Sequence, residues 1–92
     1  MVATATADRA ADRALAILRQ VTGDRELLTD LDVPLYASGV LDSLGTVALM
    51  AAFEDAFGLR ISPADFDRDA WSTPRLLVAD IERRLAGART AR

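Results

Sequence analysis

Residues 39–58 read GVLDSLGTVALMAAFEDAFG. From Ser43 the stretch holds no proline, and no glycine between Gly45 and Gly58, so a helix is expected over Ser43–Phe57 with Gly58 as its C-terminal cap. Serine and aspartate both satisfy the free amides at a helix start, so either Asp42 or Ser43 can cap it. Leu49, Met50, Phe53 and Phe57 form one apolar stripe suited to a core. Leu44, Val47, Ala48 and Ala51 form another that begins beside Ser43 and is edged by Glu54 and Asp55. A helix of a small bundle buries one face. Two stripes therefore read either as a central helix buried nearly all round or as a core face plus a strip offered to a partner.

Outside this helix the chain shows helical periodicity and almost no strand pattern. Ala11, Leu15, Leu18 and Val21 recur at spacings of three and four, which predicts a helix from near Asp8 with Gly23 as its stop. Ser62-Pro63-Ala64-Asp65 offers a serine cap, proline at the first helical position and an acid in the first turn, which predicts a short helix. Thr73-Pro74 repeats the device, and Leu77, Val78, Ile81 and Leu85 continue one apolar face. The expected organisation is thus all-α, with a folded domain over residues 8–86 and flexible ends at 1–7 and 87–92. Between the first two helices lie the 19 residues 24–42, long for a connection in so small a domain. Their leucines and valines, with Tyr36, give this segment apolar surface to pack across a bundle, and one helical turn is expected near Glu26.

Composition narrows the chemistry. Ninety-two residues make one small domain with a single modest core, and 51% apolar residues argue for a globule over disorder. The chain has no cysteine and no histidine, so disulfides, thiolate metal sites, the usual general base and the usual zinc ligand are all missing. No apolar run reaches the roughly 18 residues of a membrane span, and the N-terminus lacks signal-peptide character, so a cytoplasmic location is expected. Residues 24–67 carry nine acids against Arg25 and Arg60, a local charge of −7 within a net −3. Such a surface repels nucleic acid and favours a basic protein partner.

Ser43 is not a nucleophile of the elbow type, because no histidine can activate it and position 41 is leucine where G-x-S-x-G requires glycine. It fits better as a serine modified by another enzyme. The helix dipole and free amides at a helix start stabilise an added phosphate ester. An acid just before the serine, Asp42, is placed to help hold a metal or basic group of the modifying enzyme.

GVLDSLGT resembles the attachment site of the phosphopantetheine-dependent carrier proteins, in which a transferase places the arm of coenzyme A on the serine of an Asp-Ser-Leu motif. The resemblance implies a four-helix carrier-protein bundle with a long loop between helices one and two and a short helix three, and a 4'-phosphopantetheine group on Ser43. Within that family the chain looks most like the D-alanyl carrier proteins of teichoic acid modification. These follow Asp-Ser-hydrophobic with glycine and threonine, here Leu44, Gly45 and Thr46, and lead a Phe-Asp-Arg segment into Trp-x-Thr-Pro, here FDRDAWSTP over residues 66–74. The resemblance implies a non-catalytic, monomeric carrier that receives an amino acid, D-alanine, from an ATP-dependent adenylating ligase. A downstream acyltransferase or condensing enzyme then takes the cargo. Asp42 would assist attachment, and Leu44, Val47, Ala48, Ala51 and Glu54 would form the docking surface.

Carriers of fatty acid synthesis usually place acids after Asp-Ser-Leu and along the following helix, where this chain has Gly45, Val47, Ala48 and Ala51, so a fatty-acid role is disfavoured. All eleven basic residues are arginine, unlike the low-GC bacteria in which D-alanylation is best known, which keeps open a free-standing peptidyl or acyl carrier of a natural-product pathway. A reading from another class is an unmodified adaptor whose second helix binds a partner helix, with Ser43 merely capping. Asp65, Asp67 and Asp69 have the spacing of early EF-hand ligands, but Ala70 replaces the glycine and Leu76 the glutamate, so no calcium site is expected. Trp71 is expected to fill core.

Overall fold

A computed structural model of the chain describes residues 2–23, 30–62 and 66–90. Three α-helices, α1 (Val2–Thr22), α2 (Ser43–Phe57) and α3 (Pro74–Thr90), are joined by extended and turning segments, with one 3₁₀ turn at Arg68–Trp71. No strand occurs among the described residues. Helix α1 packs against both α2 and α3, and the 3₁₀ turn packs against α3. The helix expected from Ser62-Pro63-Ala64-Asp65 and the turn expected near Glu26 fall on residues 63–65 and 24–29, outside the described residues.

Among the described residues, therefore, the architecture is all-helical with three α-helices, and the 3₁₀ turn follows the segment expected to form the short third helix. Local chemistry limits that turn to four residues. Asp67 caps its start, its Oδ1 accepting from the amide of Asp69 at 3.0 Å. Pro74 disfavours helical geometry at Thr73, so the turn stops at Trp71 and a new helix begins at Pro74. There the Thr73 Oγ1 accepts from the Leu76 amide at 3.2 Å.

Both outer helix ends lie beyond their expected positions. Helix α1 begins at Val2 rather than near Asp8, because alanine-rich residues 2–11 contain neither glycine nor proline. Helix α3 continues through Gly87 to Thr90. Gly23 and Gly58 end their helices with φ of 75° and 69°, whereas Gly87 has no positive φ and merely lowers helix propensity.

The core gathers Ala14 and Leu18 of α1, Leu49, Met50 and Phe53 of α2, and Leu77 and Ile81 of α3. Leu15, expected on the buried stripe, lies outside this cluster, and Ile17 packs there instead. The connecting segment contributes Leu35 and Leu41, both fully covered. Its backbone is tied to the start of α3, where Leu35 N–H donates to the Ser72 carbonyl at 2.8 Å and Leu31 accepts from the Arg75 amide at 2.9 Å. The second bond satisfies one of the free amides of α3 and ties the connection to that helix.

Trp71 fills the space between α2 and α3 with no exposed surface. Phe53 and Phe66 meet it edge-on, with ring centroids 5.6 and 4.7 Å away. Its indole N–H needs an acceptor once buried, and Asp80 Oδ2 supplies it at 2.8 Å. Asp80 is itself 2% exposed. Burial opposes its charge, but hydrogen bonds from Arg84 and Trp71 and the positive charges of Arg84 and Arg83 outweigh that cost and hold its carboxyl below the ordinary value of 3.8. Because the folded form binds this proton less readily than the unfolded form, the stabilisation is complete above that value and is lost as the pH falls beneath it. Asp80→Asn is expected to lower unfolding free energy by about 1–3 kcal/mol in urea at neutral pH. The gap from wild type should narrow as the pH drops below 4; a gap independent of pH would contradict the role given to the charge.

Candidate functional site

The start of α2 is organised by Asp42. Its backbone is extended, with φ −129° and ψ −173°, and its Oδ1 accepts from the Gly45 amide at 2.8 Å. The cap, which the sequence allows to either residue, is therefore Asp42, and Ser43 is the first residue of the helix. Ser43 is exposed and its hydroxyl is not used by the cap. A nucleophilic or modifiable oxygen thus stands at the positive end of a helix, free of structural duty.

Gly45 has a steric role that sequence reasoning overlooks. A β-carbon there would lie 3.0 Å from Leu41 Cδ1 and 3.3 Å from Asp42 Oδ1. A larger residue would push on the side chain that caps the helix. The glycine after Asp-Ser-Leu therefore leaves the Leu41 and Asp42 side chains undisplaced.

Thr46, one turn on, locks the connecting segment to the helix. Its Oγ1 donates its one proton to the Asp42 carbonyl at 2.8 Å, so the Tyr36 hydroxyl, 2.7 Å away, is the donor to Thr46. The Tyr36 ring in turn lies beneath the Arg68 guanidinium, whose central carbon is 4.1 Å from the ring centroid. Neither Tyr36 nor Arg68 carries a signal in the sequence that marks it as part of this site. They arrive through the packing of the long connection and the 3₁₀ turn beside α2.

Two open depressions lie at the start of α2, and Ser43 lines one of them. One, of about 250 Å³, is lined by Tyr36, Ser43, Thr46, Val47, Met50, Phe66 and Arg68. The other, of about 350 Å³, lies between the end of α1 and the start of α2 and includes Val21, Leu41, Asp42, Leu44 and Ala48. Between them stand the exposed side chains of Leu44, at 80%, and Val47, at 58%. Leu49, Met50 and Phe53 turn inward, while Ala48 and Ala51 stay exposed, so α2 divides into a core face and an open apolar strip. Glu54, expected on the docking edge, is exposed but holds the Ile61 amide with its Oε2 at 2.9 Å. The Asp67 carboxylate accepts from the Asp69 amide in the cap of the 3₁₀ turn, and Asp65 lies outside the described residues.

This arrangement suits a covalent arm. Ser43 is reachable from solvent, an unfilled groove opens beside it, and the helix start favours a phosphodiester.

Comparison with known proteins bears on the same residues. The profile of the phosphopantetheine attachment site family matches residues 12–81. The chain is 38% identical over 68 residues to the D-alanyl carrier protein of Enterococcus faecalis, covering 74% of this chain and 87% of that one. It is 40% identical over 68 residues to the D-alanyl carrier protein of Lacticaseibacillus casei, covering 74% and 84%. The D-alanyl carrier protein of Bacillus licheniformis is 37% identical over 67 residues, with 73% and 86% covered. With the matched span running from α1 through the α2 start to α3, the chain belongs to the phosphopantetheine attachment site family and is a carrier protein.

Proposed function

We propose that Ser43 bears the 4'-phosphopantetheine arm and that the chain is a non-catalytic carrier of D-alanine, held as a thioester for a downstream acyltransferase. The observation that carries this reading is the division of labour at the α2 start, where Asp42 caps and leaves Ser43 exposed and uncommitted. The cargo is suggested by the names of the relatives and by the FDRDAWSTP segment. The 3₁₀ turn is read as the counterpart of a short third helix, giving a four-helix carrier bundle over residues 8–86 that works as a monomer. The need for coenzyme A and ATP places its work in the cytoplasm.

In this reading the arm supplies one thing the chain lacks, a thiol on a flexible tether. Ser43 supplies the oxygen that, losing its proton to a base of the phosphopantetheinyl transferase, attacks the pantetheine-bearing phosphorus of coenzyme A and breaks its pyrophosphate bond, releasing adenosine 3',5'-bisphosphate. The free amides at the helix start favour the negative charge that results. Asp42, with Oδ1 held by Gly45, offers its other oxygen to a cation or basic group of the transferase.

Leu44, Val47, Ala48 and Ala51 then form a docking strip shared by the transferase, the ATP-dependent adenylating ligase and the acceptor enzyme. Acids such as Asp55 at its edge steer encounter without tightening the complex. Glu54 contributes charge there, with its carboxylate anchored at Ile61. A carrier must leave each enzyme, so the strip is small and the affinity low.

Two outcomes are expected. The arm-bearing protein, incubated with a D-alanine-activating ligase and ATP, should gain one alanyl group that hydroxylamine removes; ready loading by other amino acids and refusal of D-alanine would overturn the cargo assignment. Val47→Asp should raise the KM of that loading by about tenfold with unchanged folding, a cost of ~1.4 kcal/mol at the interface. An unaltered KM would remove Val47 from the docking strip.

A further inference from the structure

We infer that Arg68 is a positioning residue for the arm, holding the phosphodiester on Ser43 against the groove formed by Tyr36, Met50 and Phe66. The inference rests on the proposal that Ser43 bears the arm.

Three observations carry it. Arg68 and Ser43 line the same depression, of about 250 Å³. The path between them is short and fixed: the guanidinium lies over the Tyr36 ring at 4.1 Å, Tyr36 donates to Thr46 at 2.7 Å, and Thr46 is one helical turn from Ser43 on the same face. Finally, Arg68 stands between Asp67 and Asp69 in the sequence yet forms no ion pair with either among the described residues. The Asp67 carboxylate is used by the turn itself, where it accepts from the Asp69 amide.

A guanidinium stacked on an aromatic face keeps its edge donors available and loses little freedom when they bind. Its natural complement is a planar or tetrahedral oxyanion, and the phosphodiester is the one such group that the family's chemistry delivers to this groove. The positive charge also offsets the carboxylate of Asp42, the residue before Ser43, which by itself would push the phosphodiester away. The branched, apolar portion of the arm next to the phosphate then meets Met50, Phe66 and the Tyr36 ring rather than water. The far end, with the thiol, remains free to reach an enzyme.

The test uses the arm-bearing full chain, with loading at Ser43 verified by mass, and compares wild type with Arg68→Gln and Arg68→Lys by NMR. Wild type should show nuclear Overhauser contacts from the arm's geminal methyl groups to the Tyr36 and Phe66 rings. Its phosphorus resonance should differ from that of free pantetheine phosphodiester and move toward it as salt is added. Arg68→Gln should lose both features with its helical circular dichroism unchanged, and Arg68→Lys should keep part of the phosphorus shift. Identical arm signals in wild type and Arg68→Gln would overturn the inference and leave the carrier reading standing. A folded protein that takes no arm on Ser43 would refute the carrier reading and this inference with it.

Discussion

The hydrogen bond from the Trp71 indole to Asp80 is the contact on which the rest of this small bundle depends. A domain of this size has one core, and its largest buried side chain stands where α2, α3 and the 3₁₀ turn meet. The ring can be buried only because its N–H has a partner, and that partner can stay ionised in the interior only because Arg83 and Arg84 accompany it. Once Trp71 is seated, Phe66 is held edge-on against it, and Arg68, in the same turn, is placed over Tyr36. The wall of the groove beside Ser43 is thus set by a contact on the far side of the core.

A second constraint acts at the functional end. A helix start has more free amides than neighbouring side chains can satisfy, and a serine at such a place is ordinarily drawn into capping. Here Asp42 takes that role, and Gly45 leaves room for its carboxylate. The outcome is an exposed hydroxyl in a favourable field, beside an apolar strip that the core does not need. The same helix therefore packs into the core on one face and leaves an apolar strip exposed on the other.

Much of this was legible in the residues themselves. The bounds of α2 followed from Gly58 and from the lack of helix breakers after Gly45, and the two apolar stripes followed from spacing, whereas which of them faces outward is decided by tertiary packing. The capping residue was ambiguous, since serine and aspartate do the same work and only backbone geometry separates them. Tyr36, Arg68 and the Trp71–Asp80 pair were hidden for a different reason. They are brought together by segments distant in sequence, and no local spacing encodes a hydroxyl meeting Thr46 or an indole meeting a buried acid. The helix ends were misjudged where weak propensities decide them: alanine extends α1 to Val2, and Gly87 does not stop α3 because it never adopts the left-handed turn seen at Gly23 and Gly58.

The proposed function converges on the Ser43 hydroxyl oxygen. The most direct measurement is intact mass followed by peptide mapping after incubation with coenzyme A and a broad-specificity phosphopantetheinyl transferase, with folded Ser43→Ala alongside. One added phosphopantetheine, located on the peptide that contains Ser43 and missing from the variant, is the predicted result. A folded wild-type chain that gains nothing, or that gains the group at another serine such as Ser38 or Ser62, would contradict the account.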